Sequence, residues 1–249
     1  MRRIHLPALS LGEIDLPPSQ AHYLRDVLRL TVGQELSAFS TAGQIGLATI
    51  VAISPQTVRI RIDRLEQHPA SPLQLTVAAA VPKAARADWM IEKLSELGVA
   101  RFIPLAAERS VVLPEGSSKA DRWRRIAEEA SRQSGRFDVM RIDILTALAA
   151  LLEHPENPLL HLSLQPDAEP LANLANYLQG SATLLIGPEG GWTDTEIARF
   201  ATAGALPARL TATTLRIETA AVAAAAVVLS SLAAFAPAAT KPEAHEPHS

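Results

Sequence analysis

The chain has 249 residues, 48% of them hydrophobic, which is enough for one large domain or two modest ones with a proper core. Lysines and arginines number 23 against 26 acidic residues, so a net charge of −3 excludes overall attraction to nucleic acid and leaves RNA contact to local patches. With no cysteine, disulfides, thiolate metal sites and cysteine nucleophiles are excluded.

The N-terminus, Met1-Arg2-Arg3 with His5 and Pro7, lacks the apolar core of a signal peptide, and the expected location is the cytoplasm. Residues 1–70 are then rich in β-type runs. Glu35 to Phe39, Ile45 to Ile53 and the strictly alternating Val58 to Asp63 read as strands, parted by turns at Gly33, Gly43 and Pro55, and predict a small barrel. His22 to Leu30 interrupts them as one short helix. Seven basic residues stand against six acidic ones here, so by composition alone these arginines are ordinary solvated charges. Gln67-His68-Pro69-Ala70-Ser71-Pro72 reads as a linker, because its two prolines stop regular structure.

Leu73 to Val81 is a continuous apolar run, as in a strand covered on both faces of a parallel sheet. A helix from Ala84 to Leu97 follows, burying Met90, Ile91, Leu94 and Leu97 and stopped by Gly98. Arg101 to Leu105, Leu159 to Leu164 and Thr183 to Ile186 are further strands and Ser118 to Ser134 a further helix, so residues 73–236 read as an α/β domain with a mostly parallel sheet. Lys119 to Arg136 carries six basic and three acidic residues. Trp123, Ile126, Ala127 and Ala130 mark its buried face. The other face either holds RNA phosphates or is solvated and braced by pairs such as Arg125 with Glu129.

The most constrained stretch is Leu184 to Ala220. The strand ending at Ile186 opens into Gly187-Pro188-Glu189-Gly190-Gly191, where glycines let backbone groups approach a ligand. Thr193 with Glu196 forms a capping box, Asp194 suits the positive end of a helix dipole, and Gly204 supplies the stop. Leu206 to Leu210 leads through Thr211 to Thr214 into a long alanine-rich helix, so two loops can meet over one ligand. No Gly-Lys-Ser/Thr follows and GxGxxG is absent, which makes a phosphate cradle the weaker reading. The uncharged run Ala220 to Ala236 is weakly apolar, at the short limit for a membrane span, and reads as a buried helix suited to a dimer interface. The tail 237–249 has no apolar pattern and reads as disordered.

Ile186-Gly187-Pro188-Glu189-Gly190-Gly191-Trp192-Thr193 with Glu196, followed by Leu215-Arg216-Ile217-Glu218-Thr219-Ala220, resembles the RsmE family, the small-subunit ribosomal RNA uridine-N3 methyltransferases of the SPOUT superfamily. Other blocks are similar to the family too: His22-Tyr23-Leu24-Arg25-Asp26-Val27-Leu28-Arg29 with Gly33, Lys93 with Glu96-Leu97-Gly98-Val99, Arg109-Ser110, and Gln133-Ser134-Gly135-Arg136. The chain departs from the family at Thr211, Thr213 and Ile217, where a glycine, an arginine and a threonine are usual.

The resemblance implies a PUA-like RNA-binding β-barrel over 1–70 and, over 73–236, a SPOUT-type parallel sheet with a C-terminal trefoil knot. It implies transfer of a methyl group from S-adenosylmethionine to N3 of a uridine in 16S ribosomal RNA, within the small subunit, by a homodimer. The cofactor site would be Leu164, Ile186, Gly187, Pro188, Glu189, Gly190, Leu210, Thr211, Leu215 and Arg216, with no metal. RNA contacts would come from His22, Arg25, Arg29, Arg109, Arg132 and Arg136, joined by Arg59 and Arg61. Arg216 and Arg136 would stabilise charge on the uridine, with Glu218 as base or arginine-orienting group. Its place in a helix's first turn explains Glu218 equally well. Methylation of another base or of ribose, and RNA binding without catalysis, are the alternatives. A hydrolase is disfavoured by the absence of Gly-x-Ser-x-Gly.

Overall fold

The computed structural model describes residues 2–69, 71–114, 116–153 and 158–233. The expected tail, 237–249, lies outside them. The first 67 residues supply β1 (Arg2–Leu6), β2 (Gly12–Asp15), α1 (Pro18–His22), β3 (Glu35–Ser40), β4 (Gln44–Ile53) and β5 (Val58–Gln67). The strands form one five-stranded sheet in the order β1-β3-β4-β5-β2. β1 is parallel to β3 and the remaining pairs are antiparallel. The alternation in β5 decides its faces: Val58, Ile60 and Ile62 are buried with Ile4, Leu6, Leu24, Leu36 and Ile50, while Arg59 and Arg61 point out. The segment His22 to Leu30 is not a single α-helix. After His22 the chain widens into a π-helical turn, Tyr23–Val27, whose wide closure from the Leu28 amide to the Tyr23 carbonyl measures 2.9 Å. Arg29, at φ 53°, ends it.

From residue 73 onward the elements are β6 (Leu73–Ala79), α2 (Ala85–Leu97), β7 (Arg101–Ala106), α3 (Ser117–Ser134), β8 (Arg141–Ile142), β9 (Thr146–Ala147), α4 (Leu148–Glu153), β10 (Leu159–Leu162), β11 (Glu169–Pro170), α5 (Leu171–Ala175), β12 (Gly180–Ile186), α6 (Asp194–Thr202), β13 (Leu206–Arg209) and α7 (Ile217–Ala233). The strands pair in the order β11-β13-β10-β12-β6-β7-β8, all parallel, with β9 also on β7. Helices cover both faces, which is why the strands read as unbroken apolar runs. On one face α2, α3, α5 and α7 bury Met90, Ile91, Leu94, Trp123, Leu171, Ala221, Ala224 and Val228. On the other, Leu148 of α4 and Phe200 of α6 pack on Ala78, Ile103, Leu105, Leu159 and Leu185. The pairing gives strand order alone, so the trefoil knot stays an implication of the resemblance.

Leu97 departs from its expected burial and is 37% exposed. Gly98, at φ 103°, reverses the chain there in a Schellman closure, with bonds from the Val99 amide to the Leu94 carbonyl and from Gly98 to Ser95. Val99 takes the buried place instead. The two sheets meet through β1, whose Arg3 guanidinium lies 4.3 Å from the Phe137 ring centroid and donates to the Arg136 carbonyl. Among the described residues no helix is long and apolar enough to cross a membrane.

Candidate active site

β13, β10 and β12 lie side by side, and the chain builds β12 on one flank of β10 and β13 on the other. At such a reversal the loops leaving the strand ends part company and open a crevice, the usual ligand position in a parallel sheet. The loops after these three strands enclose a cleft of about 580 Å³. It brings together Leu164, Ile186, Gly187, Pro188, Glu189, Gly190, Leu210, Thr211 and Leu215, nine of the ten residues expected for the cofactor. Trp192, Thr213 and Ile217 also line it. Arg216, the tenth, does not line it; it projects into solvent between Leu215 and Ile217.

Two glycines of this loop are also required by side chains of this chain that pack against them. A Cβ at Gly187 would sit 2.9 Å from the Trp192 indole, and one at Gly190 would sit 3.3 Å from the Arg109 stem. Both are glycine so that this chain's own side chains can close over the loop. Gly191 is the one held by its backbone, at φ 70°, and its amide closes a turn onto the Pro188 carbonyl at 2.8 Å. Trp192 is anchored in turn: Nε1 donates to the Leu162 carbonyl at 3.2 Å, and its ring meets Phe200 edge-on at 4.9 Å. The expected capping box is present. Thr193 Oγ1 accepts from the Glu196 amide at 3.2 Å, and Glu196 Oε2 accepts from the Thr193 amide at 2.8 Å.

The third loop is shaped by its two unusual threonines. Thr211 Oγ1 accepts from the Thr213 amide at 2.9 Å and lies 2.8 Å from the Thr213 carbonyl, closing a tight hydroxyl turn. Ile217 packs into the core at 3% exposure, a place where a hydroxyl would need a partner. Glu218 is buried and accepts from Arg86 Nη1 of α2 at 3.3 Å, while its Oε2 has no partner. Sequence reasoning missed Arg86, because a pair 132 positions apart leaves no local pattern.

The other expected residues are not gathered at this cleft. Arg136 bonds the carbonyls of Ser95 and Val99 and the Asp138 carboxylate, closing the end of α2. Arg132 pairs with Glu129 and stacks on Tyr23 at 4.0 Å, joining α3 to the first sheet. Arg25 is bonded to Asp26 and to the carbonyls of Ser54 and Pro55. His22 contacts Asp26 at 2.6 Å. Arg59 pairs with Asp15 and Glu13, and Arg61 with Asp63. Arg29 is exposed. Arg109 reaches the glycine loop, donating to the Gly190 carbonyl at 2.8 Å. Lys119–Arg136 shows the braced alternative in Arg122 with Asp88 and Arg124 with Asp121.

Behind the cleft, His161 of β10 stacks on Phe200 at 4.5 Å, with its Nδ1 buried and unpartnered. Burial lowers its pKa from 6.5 to about 4. Between those values the unfolded chain binds a proton that the native chain does not, so this contribution to stability is full above pH 6.5 and falls as the pH drops towards 4. The loss by pH 4 is about 2–3 kcal/mol. His161→Phe should therefore flatten the decline of urea-unfolding free energy over that window; an unchanged slope would show that this ring is not the group being titrated.

A family profile of RNA methyltransferase domains matches residues 69–229, and one of RNA methyltransferase PUA domains matches residues 16–63. The chain belongs to the RNA methyltransferase family. Among curated members of the family, ribosomal RNA small subunit methyltransferase E of Synechocystis is 31% identical over 214 residues, covering 83% of this chain and 69% of that protein. The Bacillus subtilis enzyme of the same name is 29% identical over 213 residues, covering 81% and 83%. Among solved members, the Neisseria gonorrhoeae ribosomal RNA small subunit methyltransferase E bound to S-adenosyl methionine superposes with a TM-score of 0.82, at 29% identity over 92% of this chain and 97% of that one. A Legionella pneumophila protein in complex with the same cofactor gives 0.80 at 30% identity, over 94% and 97%.

Proposed function

We propose that this RNA methyltransferase carries a methyl group from S-adenosylmethionine to N3 of a uridine in 16S ribosomal RNA, acting on the small subunit as a homodimer. The observation that carries the reading is the cleft at the ends of β10, β12 and β13. Its size suits a nucleoside-sized ligand, and its lining joins apolar walls from Ile186, Leu210 and Leu215 to the polar backbone of a glycine loop, which fits an adenine with a polar edge.

S-adenosylmethionine, when bound, supplies a methyl group made electrophilic by its sulfonium. What the chain adds is geometry, because an in-line displacement needs nucleophile and methyl carbon close and collinear. The Trp192 anchor and the Thr193–Glu196 cap keep the loop in one shape for that purpose. The uridine must also lose its N3 proton, and the negative charge left on its carbonyl oxygens needs a donor. Arg216, exposed and set in the chain between the cleft-lining Leu215 and Ile217, is assigned that role. The Arg86 bond supports Glu218 as an orienting group that fixes the start of α7, rather than as the base. Arg136 enters the site only if the partner copy of a homodimer presents it. α7 supports such a dimer: opposite its buried alanines it shows Val222, Ala223, Ala226 and Val227 half-exposed. The first sheet, with Arg29 and His22 on its surface, is assigned to RNA.

The test is calorimetric titration with S-adenosylmethionine, followed by methylation of small subunits and of free 16S RNA with nucleoside mass spectrometry. Cofactor binding and a 3-methyluridine product are expected. Absence of binding even with RNA present would end the enzyme reading, and a ribose-methylated product would move the chemistry elsewhere.

A further inference from the structure

The segment after β7, Ala107 to Leu113, stands outside the cleft and yet grips the loop that forms it. Arg109 Nη1 donates to the carbonyls of Gly190, at 2.8 Å, and Trp192, at 3.4 Å. The Glu108 amide donates to Glu196 Oε1 at 2.8 Å, and the Thr193 hydroxyl donates to Glu108 Oε2 at 2.9 Å. Glu196 is only 4% exposed, so its carboxylate is fully used: one oxygen caps α6 and the other holds this segment. The segment has its own brace, a reciprocal pair of bonds between Ala107 and Ser110, each 3.0 Å.

We propose that Arg109 is a positioning residue for the cofactor loop and not an RNA contact. The proposal rests on the cleft being the S-adenosylmethionine site. A peptide unit is planar, so fixing the Gly190 carbonyl also aims the Gly191 amide on the far side of the same bond. Two consecutive glycines would otherwise sample a wide range of backbone angles, and ordering them on binding would weaken affinity. The guanidinium supplies charge-assisted bonds to the carbonyl between the two glycines and, more weakly, to that of Trp192 just after them. The aliphatic stem adds a steric stop, since it already lies where a Gly190 side chain would be. The loop is thereby held in its binding shape before the cofactor arrives.

The experiment compares wild type with Arg109→Ala and Arg109→Lys by cofactor calorimetry, RNA-binding anisotropy and amide hydrogen exchange of the peptide spanning residues 188–193. Arg109→Ala should weaken S-adenosylmethionine binding on the order of tenfold or more, leave RNA affinity unchanged and speed exchange at 190–193. At saturating cofactor its kcat should return towards wild type. Arg109→Lys, with a single donor site, should recover part of the affinity. A fall in RNA affinity with cofactor affinity intact overturns the proposal, as does unchanged exchange in Arg109→Ala. If the wild type itself takes no cofactor, the cleft assignment fails, and the exchange data alone decide whether the clamp exists.

Discussion

Gly187→Val is expected to abolish S-adenosylmethionine binding while far-UV circular dichroism keeps its native shape. The Cβ alone would approach three indole atoms of Trp192 at 2.9, 3.1 and 3.2 Å, closer than packed carbons tolerate. The ring has nowhere to retreat. Its nitrogen is bonded to the Leu162 carbonyl, and its edge rests on Phe200, which His161 backs from the far side. The indole must therefore swing into the cleft or drag the loop with it, at about 1–3 kcal/mol of overpacking strain. Either movement removes a wall of the site, and a loss of affinity of about a hundredfold or more should follow. Gly190→Val should be milder, because the Arg109 stem it meets is flexible. Gly187→Val protein that binds the cofactor as wild type does would place the ligand away from this loop.

Arg86→Ala should be the most destabilising single change outside the apolar core. Glu218 is 6% exposed and one of its oxygens is already unpartnered, so removing the guanidinium strands a carboxylate in the interior. Breaking a fully buried pair costs about 3–5 kcal/mol; the Arg86 side chain is 38% exposed, and solvent there reduces the expected loss to about 2 kcal/mol. The double variant Arg86→Met, Glu218→Leu should recover most of that stability, because no charge is left behind. Urea unfolding of the two single variants and the double one measures the coupling directly. Equal stability of Arg86→Ala and wild type would mean that the pair does not anchor α7.

The parts of this protein that were legible in its sequence are those set by neighbours along the chain. Apolar runs marked β6, β7 and β12, the Thr193–Glu196 spacing marked α6, and the paired glycine and threonine loops marked the cleft. What escaped were interactions between distant segments. The arginines of the first sheet read by composition as ordinary solvated charges, and no local pattern shows that Arg59 finds Asp15 across a strand pair or that Arg25 finds two carbonyls of the β4–β5 turn. Gly187 and Gly190 announced a ligand; what they admit at close range is Trp192 and Arg109. The π-helical turn at Tyr23–Val27 has no periodic signature of its own, since a single widened turn follows the same apolar spacing as the α-helix before it.

The pairing of β6 also bears on how the chain is made. Strands β1 to β5 find all their partners within the first 67 residues, so that sheet can assemble as soon as it leaves the ribosome. β6 gains β7 soon afterwards, but its other edge waits for β12, with Leu73 opposite Gly180. At ordinary translation speeds that interval is about 5–20 s. Throughout it, a strand carrying Leu73, Leu75 and Val77 has one open, apolar edge, the form most prone to sticking to other nascent chains. The second sheet therefore closes later than the first, only once β12 has been made.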